Sequence, residues 1–343
     1  MCAYFILILQ LINFSRLGLK TPSPDPDPDP ELDHPWRPVA WSEDNKNEML
    51  KYLKDFQPGT AEVSEIKILL HGPIGAGKSS FINSVSSVLQ GYNTTGALAD
   101  STAGKSHSFN QEFKIHRLKK DRRGTFYPFT LSDIMGLEPG DSEGVQTEDI
   151  IKILKGHVKS GYTFNPVKST EECDQKPSLK DRVHCLVSVL PADRISLTND
   201  NVFQKMRAVQ KNARDLGIPQ VVIMSLVDKA CPLVNKNLDK IYTSKKIKEK
   251  MVECSHTLGV PMNCIFPVRN YHEQTSRNNI FEASFTEARL MSWNRLINVF
   301  RLGRKTPSPN PEPDPDFDRS WRPVAWSRFI LLQSRRQAGA YPS

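Results

Sequence analysis

Residues 72–79 read GPIGAGKS, a complete G-x-x-x-x-G-K-S. These types at this spacing suit one task, the cradling of a phosphate chain. Gly72, Gly75 and Gly77 let the backbone curl so that N–H groups converge on phosphate oxygens. Pro73, Ile74 and Ala76 complete the loop. A helix starting at Lys78 adds the positive end of its dipole. Lys78 is expected to reach the β- and γ-phosphates, Ser79 to ligate Mg2+ and Ser80 to contact the α-phosphate. A second Gly-Lys-Ser at 104–106 is a decoy, because Ala99 stands where the first glycine should be and no apolar strand precedes it.

Three further elements bear on which nucleotide fits. Asp133-Ile134-Met135-Gly136 is a D-x-x-G that directly follows FYPFTLS. Asp133 would hold Mg2+ through water, and the Gly136 N–H would sense the γ-phosphate. Ser225-Leu226-Val227-Asp228 stands where guanine-binding proteins carry N/T-K-x-D. Asp228 is placed to accept hydrogen bonds from guanine N1–H and the exocyclic amine, which adenine does not offer in that geometry. Leu226 replaces the lysine that usually covers the base, and Ser225 replaces Asn or Thr. Asn270 follows the last short apolar run, where a loop normally contacts the base. Thr102 is the candidate Mg2+ ligand of the first switch, with Thr94 and Thr95 competing for the role. No catalytic residue is assigned. Ras-like enzymes place a water-orienting glutamine just after D-x-x-G, whereas here Leu137 stands there, so hydrolysis should be slow or assisted.

The surrounding pattern can position these loops. IKILLH at 66–71 is a continuous apolar run of the buried parallel-strand type. A helix is expected over 79–89, a hairpin from 109–118 and 126–131, and a helix over 147–154 with Thr147 as its cap. Strands follow at 185–190, 220–226 and 264–268. Helices follow at 201–216, closed by Gly217, at 244–258, closed by Gly259, and at 281–300. Strands alternating with such helices imply an α/β fold: a P-loop NTPase G-domain with a mainly parallel, doubly wound sheet and helices on both faces.

The segments ILLHGPIGAGKSSFINSVSSVLQG, FYPFTLSDIMGLE, GHVKSGYTFNP, PSLKDRVHCLVSV, LGIPQVVIMSLVD and NCIFPVRNYHE closely resemble the interferon-induced protein 44-like family of vertebrates. The resemblance runs from about Trp36 to Tyr271. It implies a cytoplasmic GTP-binding protein of the innate immune and antiviral response, with GTP or GDP and Mg2+ as ligands. Family members often have T-K-x-D or T-x-x-D where this chain has SLVD.

The chain has 343 residues and 25 prolines, with 46 Lys and Arg against 38 Asp and Glu. Segments 12–42 and 297–327 align without a gap, identical at 22 of 31 positions, and both contain WRPVAW. Together they hold 13 of the prolines, and alternating Pro and Asp forbids helix there. The expected organisation is an apolar N-terminus and Pro/Asp-rich arm over 1–35, a G-domain with its WRPVAW lead-in over 36–294, and a duplicated arm and tail over 295–343. The tryptophans want an apolar surface, so the arms are candidate sites of self-association or of a protein partner. The six scattered cysteines show no metal-like spacing and read as free thiols in a reducing compartment. MCAYFILILQLIN lacks the basic start and cleavage site of a signal peptide and reads as a short apolar helix or flanking sequence. No run approaches the ~20 apolar residues of a transmembrane helix. Nucleic acid is disfavoured as a partner, since the basic stretch 119–123 lacks interleaved aromatics and reads as a solvated turn. The leading expectation is a nucleotide-dependent GTP-binding switch. The alternatives are an assembly scaffold with negligible turnover and an ATP-binding P-loop protein.

Overall fold

The structure is a computed structural model and describes residues 31–37, 39, 42–58, 62–91, 94, 97, 112–120, 124–169 and 176–270, together with positions 10 and 12. Most of both Pro/Asp-rich arms, the second WRPVAW, Thr95, Thr102, the 104–106 decoy, residues 121–123 and the helix expected at 281–300 lie outside the described residues. The N-terminal apolar stretch does too, apart from positions 10 and 12.

Six strands form one sheet in the order β2-β3-β1-β4-β5-β6. They are β1 (Ile66–His71), β2 (Lys114–Lys119), β3 (Phe126–Asp133), β4 (Cys185–Pro191), β5 (Gln220–Ser225) and β6 (Ile265–Pro267). β2 pairs antiparallel with β3, and every other pairing is parallel. All seven residues of β4 are buried, as a strand covered on both faces requires. β2 is mostly half-exposed, with only Leu118 buried, which fits its place at the sheet edge.

The longer helices are α1 (Glu43–Lys54), α2 (Lys78–Gln90), α3 (Thr147–Lys155), α4 (Asp200–Asp215) and, after two short turns, α7 (Lys245–Leu258). The two short turns are α5 (Val227–Ala230) and α6 (Pro232–Lys236). α4 buries Val202, Phe203, Met206, Val209 and Ala213, the stripe that a 3.6-residue period places on one face. Fully burying a side chain such as Met206 contributes about 1.5–3 kcal/mol relative to leaving it in water. Gln146, not Thr147, occupies the cap position of α3, because Thr147 already lies in the first helical turn. Ser225 ends β5, and Leu226 leaves it in the left-handed region (φ 54, ψ 36) to start α5, so the expected strand 220–226 is one residue shorter.

This is the α/β arrangement of a P-loop NTPase G-domain: a mainly parallel sheet with one antiparallel edge and the P-loop between β1 and α2. Among the described residues no helix is long and apolar enough to cross a membrane.

The first WRPVAW copy begins as part of this body. Leu32 N–H donates to Thr243 O (2.8 Å) and Trp36 N–H to Tyr242 O (3.0 Å). The Trp36 ring meets Tyr242 edge-on at 5.1 Å. Arg37 stacks over Phe266 (5.0 Å) and donates to the carbonyls of Ile265 (2.9 Å) and Met262 (2.8 Å).

Candidate nucleotide-binding site

The carboxyl ends of β1, β3, β4 and β5 lie side by side in the sheet, and the loops leaving them meet. Residues 72–77 leave β1 and pass tightly against β4. Gly72 has φ +151, and a Cβ there would lie 2.2 Å from the Val189 carbonyl oxygen. Gly77 has φ +87, and its Cβ would meet Asn270 Nδ2 at 2.9 Å. Glycine is required at Gly72 for contact as well as for conformation, and at Gly77 for conformation. Lys78 begins α2.

Lys78 is 7% exposed, and its ammonium donates to the carbonyls of Gly72 (3.3 Å) and Pro73 (3.2 Å). Burial lowers its pKa, against the opposing pull of the Asp133 carboxylate. Asp133 ends β3 and is 1% exposed. The Ser79 hydroxyl donates to its Oδ2 at 2.6 Å. One hydroxyl and one carboxylate, both hard oxygen donors, suit Mg2+, which takes few protein ligands and completes its shell with phosphate and water. The residues therefore fit the ion. Ser80 lies in the first turn of α2 beside them.

The D-x-x-G segment is zipped onto the P-loop. Leu137 N–H donates to Gly72 O (3.0 Å), Ile74 N–H to Leu137 O (3.4 Å) and Val145 N–H to Gly136 O (3.1 Å). A Cβ on Gly136 would lie 2.5 Å from the Ile74 side chain. Leu137 is 1% exposed and offers no group to orient water. Lys205 of α4 donates to Glu138 O (2.9 Å) and Gly140 O (2.6 Å), tying the next turn of this segment to a helix.

On the other flank, Ser225 Oγ donates to Ala76 O (2.6 Å) and Leu190 O (3.2 Å). Asp228 follows in the first turn of α5, half-buried. Asn270 Nδ2 donates to Gly77 O at 3.2 Å, while its buried Oδ1 has no protein partner. The structure thus brings together residues 72–80, Asp133, Gly136 and Asn270, with Asp228 three residues beyond the Ser225 anchor. It does not bring Thr94 there, since the Thr94 hydroxyl bonds the Asn83 carbonyl (3.3 Å) and the Ser87 hydroxyl on α2. Thr102 lies outside the described residues. Sequence reasoning missed the Ser225 anchor, Lys205, and Arg194, whose Nη2 donates to Gly75 O at 3.3 Å.

Beneath the loop, His71 is fully buried at the end of β1. Its Nε2 lies 2.8 Å from Ser188 Oγ, which also accepts from Gln210 Nε2 (3.1 Å). Burial first, and the Lys78 cation second, push its pKa down to about 3. The unfolded chain, with an ordinary histidine near 6.5, then binds more protons than the folded chain between those values, and stability rises with pH across that window. At pH 5 this group is expected to cost about 2 kcal/mol relative to pH 7.5. His116 and His184 are also shifted down by burial, so the comparison needs a variant. Urea unfolding of His71→Gln should lose stability less steeply on acidification than the parent, and an equal slope would contradict this.

No protein-family model matches the chain. It is 34% identical to human interferon-induced protein 44-like over 237 residues, covering 68% of this chain and 52% of that protein. It is 30% identical to human interferon-induced protein 44 over 253 residues, covering 72% and 56%. The chain thus spans about half the length of the curated relatives it matches. Among solved structures it aligns with Toc33 from Arabidopsis thaliana in complex with GDP and Mg2+ (TM-score 0.32, 12% identity, 68% of this chain and 81% of that one). It also aligns with the signal recognition particle receptor SRb-GTP/SRX complex from Chaetomium thermophilum (TM-score 0.29, 17% identity, 56% and 78%). At such scores these two likenesses add nothing to what the strand order already establishes. The sequence relatives do: over about 70% of its length the chain is similar to proteins named interferon-induced protein 44 and 44-like.

Proposed function

We propose that the chain is a guanine-nucleotide-binding switch of the interferon-linked immune and antiviral response, acting in the cytoplasm with GTP or GDP and Mg2+. The carrying observation is the Ser79–Asp133 contact at 2.6 Å beneath the glycine loop, where a hydroxyl and a carboxylate from different elements meet at the phosphate end of the site. Gly72 through Ser80 would hold the phosphates, Ser79 and Asp133 the ion, and Asp228 the base. Bound Mg2+ would neutralise charge on the β- and γ-phosphates. Thr102 is proposed as a further ligand when triphosphate is bound. The buried acceptor Asn270 Oδ1, beside Gly77, would be satisfied by a donor on the nucleotide.

The position of Leu137 favours slow or partner-assisted hydrolysis, because a buried leucine zipped to Gly72 can neither polarise nor orient water. The same observation favours a second reading, a nucleotide-dependent assembly scaffold with negligible turnover.

Base recognition is tested at Asp228. Its carboxylate can accept from both guanine N1–H and the 2-amino group, each such charged hydrogen bond contributing about 1.5–3 kcal/mol. Asp228→Asn should weaken GTP binding about 100-fold and favour xanthosine triphosphate, whose C2 carbonyl can accept from the new amide. Unchanged GTP affinity in the variant would remove Asp228 from the site.

A further inference from the structure

Leu226 stands where the guanine-binding signature carries a lysine, and an apolar side chain cannot replace that cation. Its neighbour shows where the missing group would have worked. Ser225 Oγ donates to Ala76 O at 2.6 Å, so the start of the SLVD segment lies against the outer edge of the P-loop. The adjacent carbonyl on that edge, Gly75 O, accepts from Arg194 Nη2 at 3.3 Å. A cation is therefore present at this flank, but it comes from the 3-10 turn Ala192–Leu197 after β4 and not from the end of β5.

We propose that Arg194 is a positioning residue of the guanine-nucleotide site, supplying the cation that the SLVD segment lacks. This rests on the nucleotide reading above.

The mount is built to hold it. Ala192 and Ile195 are buried on either side of it. Thr198 Oγ1 donates to the Arg194 carbonyl (2.9 Å). Ser196 donates to Glu253 (2.6 Å) and accepts from Lys250 (3.0 Å), which fastens the turn to α7. Asp193 Oδ2 lies 3.5 Å from Arg194 Nε and steers the guanidinium from behind. Arg194 departs from helical geometry inside the turn (φ −130, ψ 15). Its side chain remains 41% exposed, so Gly75 takes one donor while others reach solvent. A guanidinium has five donors and a flat face suited to a base or ribose, and a lysine at 226 would offer only a point charge from the same side.

The alternative is that Arg194 merely braces the loop. Calorimetric affinities for GTP and GDP, with melting temperatures measured without nucleotide, separate the two. Arg194→Ala should weaken GTP and GDP by the same factor, about 10-fold, the size of one charge-assisted hydrogen bond. Its melting temperature without nucleotide should stay close to that of the parent. Arg194→Lys should bind nearly as the parent does. Adding Leu226→Lys to Arg194→Ala should recover affinity to within about threefold, since it restores the cation from β5. Parent-like GTP affinity in Arg194→Ala would overturn the proposal. So would a loss accompanied by a lower melting temperature that neither lysine recovers. A parent chain that binds neither GTP nor GDP would overturn the nucleotide reading itself, an outcome separable from any behaviour of the Arg194 variants.

Discussion

Lys78→Ala is expected to weaken GTP binding by at least about 100-fold while leaving the nucleotide-free fold intact. The two effects have one origin. The Lys78 ammonium is 7% exposed and rests on the carbonyls of Gly72 and Pro73, and burial lowers its pKa. Without nucleotide it is a desolvated charge on neutral acceptors, an arrangement that costs stability. With triphosphate bound, the same ammonium would face anionic oxygens at short range. Two charge-assisted hydrogen bonds of about 1.5–3 kcal/mol each account for the expected loss of affinity. In urea, Lys78→Ala should therefore be as stable as the parent or more so. Lys78→Met, which keeps most of the stem packing, should behave alike. Retained GTP affinity in both variants, measured by calorimetry, would remove the P-loop from the account.

Gly72→Ala is expected to be the most destabilising single methyl in the described part of the chain, by about 3 kcal/mol or more. Its Cβ would lie 2.2 Å from the Val189 carbonyl oxygen, an atom fixed in β4 between two paired strands. The backbone there also has φ +151. The Gly72 carbonyl accepts from both Leu137 N–H and Lys78, so a shift of the loop would disturb the D-x-x-G segment as well. Gly124→Ala is the control: φ is +90, with nothing within 4 Å of the added methyl. It should cost only about 1 kcal/mol, the conformational part alone. Similar losses for the two variants in chemical denaturation would show that the close approach to β4 is not what demands glycine.

How much of this was legible in the sequence differs from loop to loop. The P-loop was plain because its chemistry depends on backbone curvature and one lysine, and both leave residue types at fixed spacing. Asp133 was plain for a related reason, since a carboxylate closing an apolar strand has few purposes. The strands were legible from apolar runs such as 66–71 and 185–190, and the buried face of α4 from its period. Arg194 and Lys205 were not, because each acts through a main-chain carbonyl and any neighbour in space can donate to a carbonyl. Gly75 O and Glu138 O carry no sequence mark of the cations they accept. Ser225 was noted as a departure from Asn or Thr. Its hydroxyl bond to Ala76 O emerges only when β5 is laid beside β4 and the P-loop. The WRPVAW segment reads as a lead-in to the domain whose tryptophans want an apolar surface, on this chain or on a partner. In the first copy Trp36 packs on Tyr242, and Arg37 on Phe266, of its own domain. The residue types show the apolar demand, while the ring that meets it at Trp36 is more than 200 residues away in sequence and carries no local mark.

The ligand proposed for this site is a guanine nucleotide with Mg2+. The most direct measurement is calorimetric affinity for GTP, GDP and ATP side by side, with and without Mg2+. GTP and GDP are expected to bind at least about 100-fold tighter than ATP, because a site built to pair with base N–H groups rejects a base that lacks them. Mg2+ is expected to strengthen GTP binding through Ser79 and Asp133. ATP binding as tight as GTP, or no nucleotide binding in the presence of Mg2+, would rule out a guanine-nucleotide site here.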